Sequence, residues 1–317
     1  MSRLSRKAEE LVSDGLEDRI LEEPTGLWRG AWKRLLRRKG GIVGMIIIGI
    51  MVLTAIFADV IAPYSPTEDF IGEPNVTRRD GPCIHFLGCD ESRPQFIMGL
   101  DGNARDEFSR IVHGSRASLL VGMVTVTVAF SVGSILGAVA GFWGGWLDNV
   151  IMRIMDVILG FPSFLLAIAI VAALGPGLTN AMFAIAIVSI PSYARVMRAS
   201  VLSIKEMDFV AASRALGASK IRLLVTRVVP NALTPLVVIG TLGVAGAILD
   251  AAGLSFLGLG AQPPDPEWGS MLASERNQVF SAPHLVFFPG LAIMFTVLGF
   301  NLLGDGMRDA LDPALNE

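Results

Sequence analysis

Residues 205–231 read KEMDFVAASRALGASKIRLLVTRVVPN, a polar, cation-bearing stretch set between two strongly apolar blocks. Met207, Val210, Ala211, Leu216, Ile221, Leu224, Val225 and Val228 recur at roughly helical spacing. Gly217 interrupts the run and marks a turn between two short helices. Pro230 lacks a backbone donor and is expected to end the second helix before the next apolar block. An amphipathic segment of this kind either docks into a groove on another protein or lies flat on a bilayer. The pattern by itself leaves both readings open.

The flanking blocks set the class of the chain. Of its 317 residues 52% are hydrophobic and 17% charged, and mean hydropathy is +0.57. That leaves too little polar side chain to cover a soluble surface. Six blocks approach the roughly 20 residues that a helix needs to cross hydrocarbon: 41–61, 117–141, 155–174, 178–197, 232–252 and 285–303. The expected fold is an all-α membrane protein with six transmembrane helices. Pro162, Pro191 and Pro289 lie inside these blocks, where neighbouring helices re-satisfy the freed backbone groups.

Basic residues orient the spans. Arg29, Lys33, Arg34, Arg37, Arg38 and Lys39 precede the first block, which places the N-terminus in the cytoplasm. Six spans return the C-terminus to the same side. Arg195, Arg198, Lys205, Arg214, Lys220, Arg222 and Arg227 in or beside the 205–231 segment agree. Arg105, Arg110 and Arg116 on the outer side fit less well, although long loops weigh less in the rule. The first block follows a long charged segment with no small-residue cleavage site, so it reads as a permanent span and not a signal peptide. The chain divides into an N-terminal cytoplasmic segment (1–40), a first span (41–62) and an extracytoplasmic loop (63–116). A five-helix core (117–304) carrying the cytoplasmic loop 203–230 follows, then a cytoplasmic tail (305–317). Trp28 and Trp32 alternate with basic residues in the N-terminal segment, which suits the headgroup layer or a surface helix leading into the first span.

Candidate site residues are few. Cys83 and Cys89 in the 63–116 loop are either a disulfide or two free thiols. His85 is their one nearby co-ligand, too few for a closed zinc site, so no metal is expected. Asp250 is a carboxylate in the fifth block. It is either a pathway or gate residue or a solvated Asp at the outer interface. Arg153 and Asp156, three apart, suit a helix-surface ion pair. Asn301, Asp305, Arg308 and Asp309 share a helix face near the inner interface, where pairing or capping is the expected role. A net charge of −3 carries no nucleic-acid footprint. No GxxxxGK[ST] loop is present, and His85, His113 and His284 are scattered, so neither an ATP site nor a catalytic residue is expected.

With Gly217 and Pro230 at their spacing, segment 205–231 resembles the EAA loop, the ATPase-docking element of binding-protein-dependent ABC importer permeases. The Glu-Ala-Ala of that motif stands here as Ala211-Ala212-Ser213, and Arg227 takes a position that is hydrophobic in the motif. Segments 96–122, 253–272 and 288–313 are similar to the corresponding parts of dipeptide and oligopeptide permeases, and the resemblance spans 28–313. It is closest to the C-type subunit of that family. The resemblance implies a type I importer permease in a bacterial or archaeal plasma membrane, moving peptides or a related small solute inward by alternating access. It implies as partners a homologous B-type permease, two ATPase subunits that bind ATP and Mg, an extracytoplasmic solute-binding protein and the lipid bilayer. It makes Asp208, Ala211, Ala212, Ser213, Gly217, Ile221 and Pro230 the coupling positions. An ion-coupled secondary transporter is the alternative from another class; it would carry ionisable residues at mid-membrane. A membrane-embedded enzyme would need a nucleophile or metal constellation, and none is legible.

Overall fold

The computed structural model describes residues 27–90 and 92–311. Residues 1–26 and 312–317, which hold most of the expected N-terminal segment and half of the tail, lie outside the described residues, as does the side chain of Trp28. Helix α1 (Leu27–Leu35) leads into α2 (Lys39–Ile56). A loop of about fifty residues follows, then α3 (Glu107–Trp143), α4 (Gly145–Leu159), α5 (Ser163–Leu174) and α6 (Leu178–Ile204). Short α7 (Asp208–Ala215) precedes α8 (Lys220–Phe256), which contains one π turn at Leu224–Val228. Short α9 (Trp268–Glu275) and long α10 (His284–Leu311) complete the chain.

Five helices (α2, α3, α6, α8 and α10) are long and apolar enough to cross a membrane, and α4 with α5 forms a bent pair. The expected third span at 155–174 is therefore not one straight helix. Its two parts meet at 88°. The break falls at Gly160-Phe161-Pro162: α4 ends at Gly160, and Pro162 stands in the N-cap position of α5. A proline opens a helix more readily than it continues one. Apolar α5 packs through Ala167 and Val171 against Ala181, Ala184, Ile185 and Val188 of α6. Helix α4 lies across the end of α6, held by ion pairs from Asp148 to Arg198 (2.5 Å) and from Asp156 to Arg195 (2.5 Å). The expected Arg153–Asp156 pair does not form, because α4 turns Asp156 toward α6.

At its 37 residues α3 is about 55 Å long, and its contact with α6 is the most extensive in the fold. Gly133, Gly137 and Gly141, one turn apart, let the two backbones meet. A Cβ on Gly137 would lie 2.3 Å from the carbonyl oxygen of Ala194. Gly44 and Gly299 make a second such contact between α2 and α10, where a Cβ on Gly44 would lie 2.6 Å from the Leu303 nitrogen.

The bundle has two distinct ends. At one, residues 57–90 and 92–106 form a cap. Tyr64, Phe70 and Phe96 stack with centroids 4.9–5.8 Å apart over buried Leu100 and Ala104. Cys83 and Cys89 are joined in a disulfide, with their Cα atoms 5.4 Å apart. Helix α3 starts ten residues before the expected span because Asp106 caps it, accepting from the Ser109 nitrogen at 2.8 Å. Burial pushes the Asp106 carboxyl above the usual carboxylate range. Three arginines that fitted the charge rule poorly are all paired here. Arg105 and Arg110 reach Asp101 at 2.7 and 3.4 Å, and Arg116 reaches Asp59 at 2.9 Å. The hydrogen bond from Arg116 holds the Asp59 carboxyl below its ordinary range. Helix α9 is fastened to this end by Trp268, fully buried, whose indole donates to the Ile111 carbonyl at 3.0 Å.

At the other end Arg34 donates to the Ala310 carbonyl at 2.8 Å, tying α1 to the end of α10. Asp305, Arg308 and Asp309 are exposed and form no ion pair with one another, contrary to the pairing expected of that face.

Gly137→Ala is expected to cost about 1–3 kcal/mol by overpacking the α3–α6 contact. Gly49→Ala, where a Cβ would meet nothing within 4 Å, is the control. Unfolding midpoints in mixed micelles read the difference, and equal midpoints would mean that the close approach carries no weight.

Candidate functional site

The segment between α6 and α8 folds as the helix–turn–helix that its sequence predicts, at the end of the bundle opposite the disulfide. Met207 is extended ahead of α7, and Asp208 stands in the first turn of α7, where a carboxylate favours the positive end of the helix dipole. The helix stops in a Schellman arrangement. The Gly217 nitrogen donates to the Arg214 carbonyl at 3.0 Å and the Ala218 nitrogen to Ser213 at 3.2 Å, with Gly217 at φ +84°. That left-handed conformation is the reason for glycine here. Ser219 opens α8, its hydroxyl accepting from the Arg222 nitrogen at 3.4 Å.

Pro230 does not end the second helix. Helix α8 runs unbroken from Lys220 to Phe256. The π turn at Leu224–Val228 directs the Val229 nitrogen to the Leu224 carbonyl, so the helix is already widened where the proline ring enters it. Asn231 Nδ2 donates to the Arg227 carbonyl at 2.6 Å, adding a donor at the same place.

The two faces of this element differ. Val210, Leu223, Leu224 and Val228 are buried against Ala138 of α3, Met197, Val201 and Ile204 of α6, and Ala232 and Leu236 of α8. Leu216, Ile221 and Val225 point away from the bundle, 89%, 67% and 59% exposed. Asp208, Ala211 and Ala212 are also exposed, with Ser213 half-buried. A cavity of about 410 Å³ lies between α7 and α8, lined by Ser213, Leu216, Gly217, Arg222 and Arg227 among others. Behind the element, Lys205 Nζ donates to the Gly141 carbonyl at the end of α3 at 3.0 Å. The loop therefore packs on three long helices through its inner side and carries exposed apolar residues on its outer side.

Of the other predicted site residues, Asp250 is half-buried on α8, and its carboxylate makes no ion pair or hydrogen bond with any described residue. Gly246, one turn earlier on α8, is exposed, and a Cβ there would meet nothing within 4 Å. The structure does not bring Asp250 near the 208–230 segment; more than five turns of α8 separate Asp250 from Pro230. Sequence reading missed the ion pairs of α4 with Arg195 and Arg198 and the glycine seam under the site. The second had a legible signal in the four-residue spacing of Gly133, Gly137 and Gly141.

Comparison with known proteins gives the same picture. Residues 133–317 match the model of the binding-protein-dependent transport system inner membrane component, and 26–79 that of the N-terminal TM domain of oligopeptide transport permease C. The chain is 48% identical to the dipeptide transport system permease protein DppC of Alkalihalophilus pseudofirmus, over 91% of this chain and 90% of that one. It is 40% identical to the glutathione transport system permease protein GsiD of Pectobacterium atrosepticum, over 99% of each. Among solved structures a chain of the MetNI methionine ABC transporter, in inward-facing conformations, superposes with a TM-score of 0.53 at 19% identity, covering 64% of this chain and 96% of that one. That likeness concerns the fold.

Gly217→Ala is expected to destabilise α7 by about 1–2 kcal/mol through the left-handed backbone alone, since a Cβ there meets nothing within 4 Å. Faster amide hydrogen exchange confined to 208–223 is the readout.

Proposed function

We propose, for a chain that belongs to the family of binding-protein-dependent transport system inner membrane components, that it couples an external ATPase to peptide passage through the 205–230 element. It is a multi-pass permease subunit of an ABC importer. Peptides are the proposed cargo, in line with the dipeptide and glutathione systems of its relatives. The observation that carries the coupling role is the two-faced helix–turn–helix. Leu216 and Ile221 offer an unpartnered apolar face, while Val210 and Leu223 are locked into the long helices. An amphipathic helix presented in this way seats in a groove of another protein.

In this reading two ATPase subunits with bound ATP and Mg grip α7. Their closure tilts α3, α6 and α8 together, and the pathway changes access between two global states biased by nucleotide and by delivered solute. A homologous permease of the B type covers the open face of α8, and a solute-binding protein docks on the cap. The α7 end then faces the cytoplasm with both termini, and the cap faces outward. The cation-rich 195–227 region favours that orientation. So does the disulfide in the cap, because such bonds persist in oxidising compartments. Asp250, half-buried on α8, is the pathway candidate. Neither the fold nor the relatives support the ion-coupled carrier.

Purifying the tagged protein in mild detergent should recover a homologous permease and two ATPases; a lone chain, even after cross-linking, would sink the assembly. Leu216→Asp and Gly217→Val should leave ATP hydrolysis running with uptake into proteoliposomes reduced at least tenfold. Wild-type coupling in both would remove the docking role. Asp250→Ala should lower uptake while the same subunits still co-purify, and undiminished uptake would remove Asp250 from the pathway.

A further inference from the structure

At the cap end a cavity of about 640 Å³ opens between residues 103–110, the last turn of α8 and helix α9. Arg105, Arg110 and Arg276 line it, together with Asn103, Phe256 and one carboxylate, Asp265. Residues far apart in sequence thus converge on one space. Their guanidinium groups are held in place and only partly satisfied.

Arg110 is the most constrained of the three, with its side chain 6% exposed. Its Nη1 donates to the carbonyls of Pro66 (2.8 Å) and Pro264 (3.2 Å), and its Nε lies 3.4 Å from Asp101. Its Nη2 has no acceptor among the described residues. Arg105 gives Nε and Nη2 to Asp101 at 2.8 and 2.7 Å, which leaves Nη1 without an acceptor. Arg276 is held by one bond, from Nη1 to the Ala273 carbonyl at 3.0 Å, and its guanidinium sits 5.7 Å from the centroid of the Phe256 ring. Arg105 and Arg110 share the one carboxylate of Asp101, so the three guanidinium groups around the cavity keep donors for a further acceptor. A carboxylate is the group whose planar geometry matches the guanidinium fork. The volume lies within the range of pockets for small molecules, and Phe256 and Leu257 give it an apolar wall.

We infer that this cavity is a reception site for the free carboxylate of a small peptide, entered before the peptide passes along α8. The inference rests on the peptide-importer reading and deepens it. The chain would itself select for a free C-terminus, in addition to any selection by a solute-binding protein.

The test uses the transporter purified with its accompanying subunits but without the solute-binding protein, in nanodiscs. Saturation-transfer NMR measures binding of L-alanyl-L-alanine and of its C-terminal amide. The dipeptide should bind at least tenfold more tightly than the amide. Arg276→Ala, at an exposed position that does not hold the fold, should weaken the dipeptide about tenfold and abolish the preference, with Arg276→Lys restoring part of both. Arg105→Gln should act in the same direction. Equal binding of acid and amide, no binding of either, or an unchanged Arg276→Ala variant would overturn the inference. So would an Arg276→Ala variant that binds dipeptide normally but no longer docks the solute-binding protein, because the cavity would then take an acidic protein side chain. ATP-driven uptake by the same subunits in proteoliposomes, with the solute-binding protein supplied, separates the two levels. Uptake by the wild type beside a negative NMR result removes only the cavity, whereas absence of ATP-driven uptake removes the importer reading.

Discussion

At Gly133, Gly137 and Gly141 the backbones of α3 and α6 touch, and the remainder of the bundle is arranged around that contact. In a bilayer, lipid tails are as apolar as leucine, so burying large side chains gives helices little reason to associate. Close van der Waals packing of small residues does. Met197 and Val201 on the α6 side of this seam also form the bed on which Val210 and Leu223 rest. The 208–230 element thus rests on the same α6 residues that meet α3 along the glycine seam.

The opposite end is made differently. There the chain relies on a disulfide, stacked aromatic rings and ion pairs, with Arg79 to Glu275 (2.8 Å) bridging cap and α9. These are aqueous devices, directional and polar. They hold the cap in a fixed shape, while the interior relies on close backbone packing at glycines.

Much of this was legible in sequence, and for identifiable reasons. Long apolar blocks announce spans because composition alone bears on burial in lipid, and five of the six expected blocks correspond to continuous helices. The turn at Gly217 was legible because a left-handed residue has a strong preference for glycine. Pro162 and Pro230 were misread in opposite directions. The first breaks a helix and the second is absorbed, and local sequence does not distinguish them. What decides is tertiary: α5 has a packed bed along α6 to follow, and the π turn ahead of Pro230 has already opened the ladder. The pairs Asp148–Arg198 and Asp156–Arg195 link residues about forty to fifty positions apart. No periodicity reveals them, and the same holds for the convergence of Arg105, Arg110 and Arg276.

The π turn also sets an angle. An α-helix advances about 100° per residue, so every fourth side chain falls roughly 40° past a full turn. Leu224, Val228, Ala232 and Leu236 follow that four-residue spacing, yet all are buried in one cluster. The wider turn at Leu224–Val228 winds back part of the drift and keeps them in phase. Chain length between Gly217 and Pro235 is therefore a rotational setting as much as a distance. One residue gained or lost there would swivel the upper part of α8 and carry Asp250 round to a different bearing.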